Sequence, residues 1–251
     1  MNVLRSLEQK RSKFSYSLLK GVINLRDKDN LERLNEILRI IYEKDDITLT
    51  SDEFESLKTD EKGRKKDIFD SKFQKTLEEK LSSYISRAPT TILVNGLGNT
   101  MAFYISKIGV EPNSIPKLIT DFKMAFQEFK EKAPKIQSKI KELEKTKEKN
   151  DSKLNKLKKE YKALESNLNN TKKKLLDSLK PDKVAYLIIY TAINKWLKEL
   201  SIIRDSENIL EWFRKDDTTS LDVMHATKET LELLKWMKRF AEAMLEEGDI
   251  S

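Results

Sequence analysis

Hydrophobic residues recur at three- and four-residue spacing along most of the chain, which predicts a succession of amphipathic helices. Leu4, Leu7, Arg11, Phe14, Leu18 and Val22, widened by Leu19 and Ile23, predict a helix over residues 3–25 whose apolar face is interrupted by charged Arg11. Leu34, Leu38 and Ile41 predict a second helix over residues 31–42, capped by Asp29 or Asn30. Residues 43–66 are polar, with only Ile47, Leu49, Phe54 and Leu57 to bury, and read as a loose insertion with a turn of helix after Ser51 at most. Helical spacing resumes with Ile68, Phe69, Phe73, Leu77, Leu81, Tyr84 and Ile85. It is expected to stop at Ala88-Pro89, because a residue before proline is biased away from the helical region.

Pro89 would then open a helix that is apolar on every side, from Ile92 through Leu97, Met101 and Phe103 to Ile105, ending near Gly109. Such a helix is expected at the centre of a bundle. Gly96 and Gly98 inside it would each cost about 1 kcal/mol against alanine, and are expected to admit a closely passing backbone.

Two heptad tracks follow: Phe122, Phe126, Phe129, Ala133, Ile136, Ile140 and Leu143, then Leu154, Leu157, Tyr161, Leu164, Leu168, Thr171 and Leu175. The track fails at Lys147 and Asn150, and residues 145–153 hold no apolar side chain but offer Asn150, Asp151 and Ser152 as caps. This predicts two antiparallel helices over 117–180. One continuous helix of about 60 residues, some 90 Å at about 1.5 Å per residue, stays open as the alternative. Pro181 suits the first turn of a core helix over 184–203, and a short helix is expected over 207–215. The last helix, 221–246, is expected to bury Met224, Leu231, Leu234, Met237, Phe240, Ala241 and Met244, with Gly248 closing it.

With 6 Gly and 5 Pro in 251 residues, and almost no period-two alternation, the chain lacks the punctuation of sheets. The expected fold is all-α: a helical bundle formed by residues 1–116 and 181–251, with 27–65 an insertion and 117–180 an inserted basic antiparallel coiled-coil hairpin. Absence of cysteine excludes disulfides and thiolate metal sites and fits a reducing cytosol. No stretch approaches the roughly 18 apolar residues that a spanning helix needs, and the start has no apolar signal region, so a soluble, cytoplasmic protein is expected.

Charge changes the picture further. Residues 130–180 carry 17 Lys against 8 Asp and Glu, whereas the rest of the chain has 32 basic and 34 acidic groups. A lysine-studded arm on a nearly neutral body fits a polyanion partner, bound as a line of phosphates with counterion release. The arm has no arginine, which argues for sequence-tolerant contact over bidentate recognition. The same pattern also describes a solvated coiled-coil surface.

Chemistry-bearing constellations are scarce. His225 is the sole imidazole, with Asp222 three residues before it, and reads first as a polar residue near a helix start. Asn95-Gly96-Leu97-Gly98-Asn99-Thr100 lacks the lysine of a phosphate loop and the third glycine of a dinucleotide fingerprint, so packing glycines are the better account. Asp45-Asp46 and Glu246-Glu247 are adjacent pairs that point to different sides of a helix and cannot share a metal. No catalytic residue, metal site or cofactor is assigned.

Three stretches together resemble the small subunit of the Cmr-type (type III-B) CRISPR RNA-silencing complex: Leu7 to Phe14, Ala88 to Phe103 with its Asn95-Gly96-Leu97-Gly98 run, and Ala226 to Met244 with Trp236-Met237-Lys238-Arg239-Phe240-Ala241. A helix beginning Ala185-Tyr186 and carrying Trp196-Leu197 fits the element between the last two. The resemblance covers about half the chain. It implies a non-catalytic helical bundle that stacks in several copies beside other Cmr subunits and lines the groove of guide and target RNA in antiviral defence. Membrane and small-molecule partners are not implied. Candidate RNA-binding cations are Lys10, Lys13, Arg87, Lys107, Lys195, Lys198, Lys238 and Arg239 on the body, and Lys156, Lys158, Lys159, Lys172, Lys173 and Lys174 on the arm. Two competing readings are a coiled-coil adaptor that docks proteins through 117–180, and a hydrolase acting through His225.

Overall fold

The computed structural model describes residues 2–42, 47–60, 63–145 and 151–245, without the side chains of residues 2–5 and 145. Ten helices follow one another among the described residues: α1 Asn2–Ile23, α2 Asn30–Tyr42, α3 Ser51–Lys58, α4 Ser71–Asn95, α5 Leu97–Ile108, α6 Ile115–Lys145, α7 Asp151–Ser178, α8 Pro181–Glu199, α9 Ile209–Phe213 and α10 Ser220–Leu245. An isolated bridge, Thr59 to Lys65, is the one β feature among these residues, so the protein is all-α as its spacing predicts. No described helix is long and apolar enough to cross a membrane. Leu4's side chain, Asp45-Asp46, Lys147, Asn150, Glu246-Glu247 and Gly248 lie outside the described part.

The chain divides into two compact units. The first comprises Met1–Thr48, Ile68–Pro112 and Lys180–Ser251. Its centre is α8, which opens on Pro181 and buries Val184, Leu187, Ile188, Ile189, Ile193, Trp196 and Leu197 around its circumference. Helices α2, α4, α5 and α10 pack on it. Burial of each large apolar side chain contributes about 1.5–3 kcal/mol, so this helix anchors the unit.

Helix α4 does not stop at Ala88 but runs through Pro89 to Asn95. Leu77, Leu81, Ile85, Ala88 and Ile92 form one buried stripe on both sides of the proline. Burial of Ile85 and Ile92 together outweighs the roughly 3 kcal/mol that an interior proline costs through its missing N–H. The break falls instead at Gly96, whose φ of 79° and ψ of 159° belong to a region essentially confined to glycine.

The reading of the glycines as admitting a close backbone is also overturned. A Cβ on Gly96 would meet nothing within 4 Å, and the nearest atoms to one on Gly98 would be those of the Phe213 ring, at 3.5 Å. Nor is the 92–105 segment buried all round: Leu93 and Val94 are 71% and 76% exposed and Phe103 is 42% exposed, since this segment lies at the edge of the unit and only one face meets α8. In α10 the buried stripe is Ala226, Thr230, Leu233, Leu234, Met237, Ala241 and Leu245, while Met224 is exposed because it lies in the first turns, on the face away from Ala226.

The buried face of α1 is Arg11, Ser15, Leu19 and Val22, with Phe14 and Leu18 half-buried beside it. Arg11 is thus inside the fold. Arg33, also buried, donates to the carbonyls of Leu25, Lys28 and Phe69. That clamp holds Phe69 at φ 57°, a left-handed conformation costly for a bulky residue. Burial draws the Arg33 guanidinium below its ordinary value.

The second unit comprises Leu49–Asp67 and Asn113–Leu179. Residues expected to be loose form α3 there, started by a capping box in which Thr50 accepts from the Glu53 amide and Glu53 accepts from the Thr50 amide. Phe54 and Leu57 are buried, and α3 packs on α6. Helices α6 and α7 pack on each other, with the Phe129 and Tyr161 rings 6.0 Å apart and Glu144 paired to Lys158 at 2.8 Å. Advance along α6 meets partners that recede along α7, so the two run antiparallel. Ile136 and Leu168 are the last fully buried residues towards the far end, beyond which Ile140, Leu143, Leu154, Leu157, Tyr161 and Leu164 are half-buried.

Candidate nucleic-acid interface

One cleft in the first unit gathers cations from three helices. Lys10 and Lys13 project from α1, Arg39 from α2 and Lys195 from α8, around a cavity of about 560 Å³ whose floor includes Phe14, Leu18 and Ile40. The Phe14 ring rests 5.6 Å from that of Trp196, which is fully buried on α8, and this fixes the face of α1 that the cleft receives. Lys195 Nζ donates to the Ile40 carbonyl at 3.0 Å, tying α8 to α2. Arg39 pairs with Glu36 at 3.3 Å on its own helix. Glu199 is the one carboxylate of the lining, against four cations, so the cleft presents a positive potential to solvent.

A buried polar seam sets the position of α1 against α10. Arg11 Nη2 donates to both Glu229 carboxylate oxygens, at 2.9 and 2.7 Å, with both side chains buried. Arg11 Nη1 donates to Glu8 at 2.6 Å, and Glu8 accepts from Trp236 Nε1 at 2.7 Å. The chain Glu229–Arg11–Glu8–Trp236 therefore fixes the register of the two helices. Lys13, two residues beyond Arg11 on α1, also lines a second recess beside Tyr16, Trp236 and Phe240. Arg239 covers the Trp236 ring at 4.9 Å. Lys238 lies 3.7 Å from Glu242.

Of the cations that the sequence nominates, the structure brings together Lys10, Lys13 and Lys195. Arg39 joins them, and sequence reasoning missed it; its only signal is an arginine breaking the apolar run Leu38, Ile40, Ile41. Lys198 is turned to the Asp205 carbonyl at 2.6 Å, Lys107 lies over the Phe103 ring at 5.2 Å, and Arg87 sits exposed on α4. On α7, Lys156, Lys159, Lys173 and Lys174 are exposed, Lys158 is paired with Glu144, and Lys172 is half-buried, which lowers its ammonium below the ordinary value.

The remaining candidate chemistry dissolves. His225 is exposed, and Asp222 is engaged by the amide and hydroxyl of Thr219 at 2.9 and 2.6 Å, forming a helix cap. Those bonds hold the Asp222 carboxyl below the usual range, with His225 a lesser contributor. No cluster of metal-ligating side chains occurs among the described residues.

These features define an all-helical protein that displays a cation-lined cleft on a bundle held in register by a buried ion pair. The chain belongs to the family of the CRISPR-associated protein Cas_Cmr5, whose profile matches residues 63–244. It is a small subunit of the Cmr-type (type III-B) CRISPR complex. The match includes the Ala88–Phe103 and Ala226–Met244 stretches but begins after Leu7–Phe14 and the α1 lysines.

Proposed function

We propose that this subunit is a non-catalytic scaffold that binds guide or target RNA inside the Cmr complex, stacking with copies of itself and with other subunits in antiviral defence. The observation that carries the RNA reading is the convergence of Lys10, Lys13, Arg39 and Lys195 on one cleft. Side chains on three helices form a site by crossing in space, whereas solvated helix faces display cations singly. Point-charge ammonium groups around a phosphate chain give affinity without base readout. The α7 lysines add a diffuse attraction of the same sign. The family supplies the complex; the exposed, unclustered surroundings of His225 support a role without turnover.

The test is a filter-binding titration of the full chain with single-stranded and duplex RNA over a range of salt, with the RNA examined for cleavage. Binding that weakens steeply with salt and leaves the strand intact is expected. Affinity indifferent to salt would contradict the RNA role, and cleavage that disappears in His225→Ala would contradict the non-catalytic one.

A further inference from the structure

The glycine break between α4 and α5 builds a recess that the cationic cleft does not use. Its aromatic wall is Tyr84, Phe103, Tyr104 and Tyr186, and its polar wall is Arg87, Thr91, Asn95 and Asn99, around a cavity of about 450 Å³. The Tyr84 and Tyr186 rings are stacked at 4.1 Å and 16° between planes, and the Phe103 ring meets Tyr186 edge-on at 6.0 Å. Tyr104 is buried behind them, 5.4 Å from Tyr186, so the wall is backed by the core. Gly96 turns the chain so that Asn95, at the end of α4, and Asn99, in the first turn of α5, meet: Asn99 Nδ2 donates to the Asn95 carbonyl at 2.9 Å. Among the described residues no hydrogen bond engages the Asn95 side-chain amide or Asn99 Oδ1.

We propose that this recess takes one unpaired nucleobase of a single-stranded RNA, a proposal that rests on the RNA-binding reading above. A base needs a flat apolar face to stack on, and the exposed Phe103 ring supplies one, with Tyr186 standing edge-on beside it. Its edge carries donors and acceptors, and asparagine amides offer both kinds on the facing wall. Its attached phosphate needs a cation, and the Arg87 guanidinium stands at the rim with no carboxylate among the lining residues. An aliphatic protein side chain would leave the two amides and the guanidinium desolvated and unmatched, which argues for the heterocycle. The size lies within the range of about 300–1,000 Å³ of small-ligand cavities.

The experiment titrates the full chain into a single-stranded RNA with a central 2-aminopurine, beside an RNA of equal length that is abasic at its central positions. Phe103→Ala is expected to weaken binding roughly 5- to 100-fold and to remove the 2-aminopurine response, while the dependence of affinity on salt keeps its slope. Arg87→Ala is expected to lower that slope by about 0.7, the share of one phosphate on a single strand. Asn99→Ala, at an exposed position, is expected to change the preference among homopolymer RNAs. Abasic RNA bound as tightly as the base-bearing strand would overturn the base site yet leave the RNA role standing, and this control needs no variant. Failure of every RNA to bind would overturn both. Loss of a co-purifying Cmr subunit in Phe103→Ala, with RNA binding unchanged, would assign the recess to protein.

Discussion

The two units use the same residue types to opposite ends. In the first, helices distant in sequence cross around α8, so cations separated by up to the 185 residues between Lys10 and Lys195 share one cleft, and the charged pair Arg11–Glu229 is enclosed. In the second, lysines follow one another along α7, most of them exposed, and the apolar seam thins beyond Ile136 and Leu168. Lysine number by itself therefore does not bring cations of different helices together. Crossing geometry does, and only a packed core produces it.

The sharpest way to break that contrast is to remove one partner of the enclosed pair. Glu229→Ala should cost about 3 kcal/mol in urea unfolding, the lower end for a stranded buried charge, because Glu8 still accepts from Arg11. Arg11→Met with Glu229→Leu should recover most of it, since an apolar pair is often as stable as a buried ionic one. Lys158→Ala, which removes the exposed partner of Glu144, should stay within about 0.5 kcal/mol. Equal losses at the two pairs would erase the distinction.

The apolar residues give effects of similar size. Leu81→Ala in α4 should cost about 2–5 kcal/mol, whereas Leu157→Ala in α7, half-buried, should cost about 1 kcal/mol by the same measurement. The two glycines of the α4–α5 break should then separate in sign. Gly96→Ala is expected to destabilise by about 1–3 kcal/mol through its backbone conformation alone, despite open space around a Cβ. Gly98→Ala is expected to stabilise by up to about 1 kcal/mol, because its conformation is helical and the Phe213 contact is ordinary. Thermal melts of both variants decide it.

The smallest expected effect is acid sensitivity at the α10 cap. The Asp222 carboxyl is held below its usual value when folded, so its contribution is complete above the unfolded value near about 4 and is lost as pH falls through the folded one. Asp222→Asn should flatten stability below about pH 4 and leave the neutral range almost unchanged, as pH-dependent melts would show.

Periodicity made the helices legible, because burial of a stripe is a local pattern; the cap at Asp29, the proline start of α8 and the short α9 all stand where side-chain chemistry places them. It failed where tertiary packing decides. Pro89 looked like a boundary, yet the stripe from Leu77 to Ile92 carries the helix through it, and Pro134 sits inside α6 in the same way. Each follows a buried alanine, Ala88 or Ala133. Lys10, Lys13 and Lys195 could be named as cations, but nothing in their spacing joins them to Arg39, since that neighbourhood exists only after α1, α2 and α8 have packed. The Asn95–Asn99 run was visible as glycine-rich, while the aromatic wall opposite it comes partly from Tyr186, on a helix far along the chain.

The cleft itself can be tested by the salt dependence of single-stranded RNA binding to the full chain, comparing Lys10→Ala/Lys13→Ala/Arg39→Ala with Lys156→Ala/Lys159→Ala/Lys173→Ala. Each phosphate that the protein no longer neutralises lowers the log–log slope by about 0.7, so the cleft variant should lower it by about 2 and the arm variant by clearly less. A slope that the cleft variant leaves unchanged, or that only the arm variant lowers, would contradict the account.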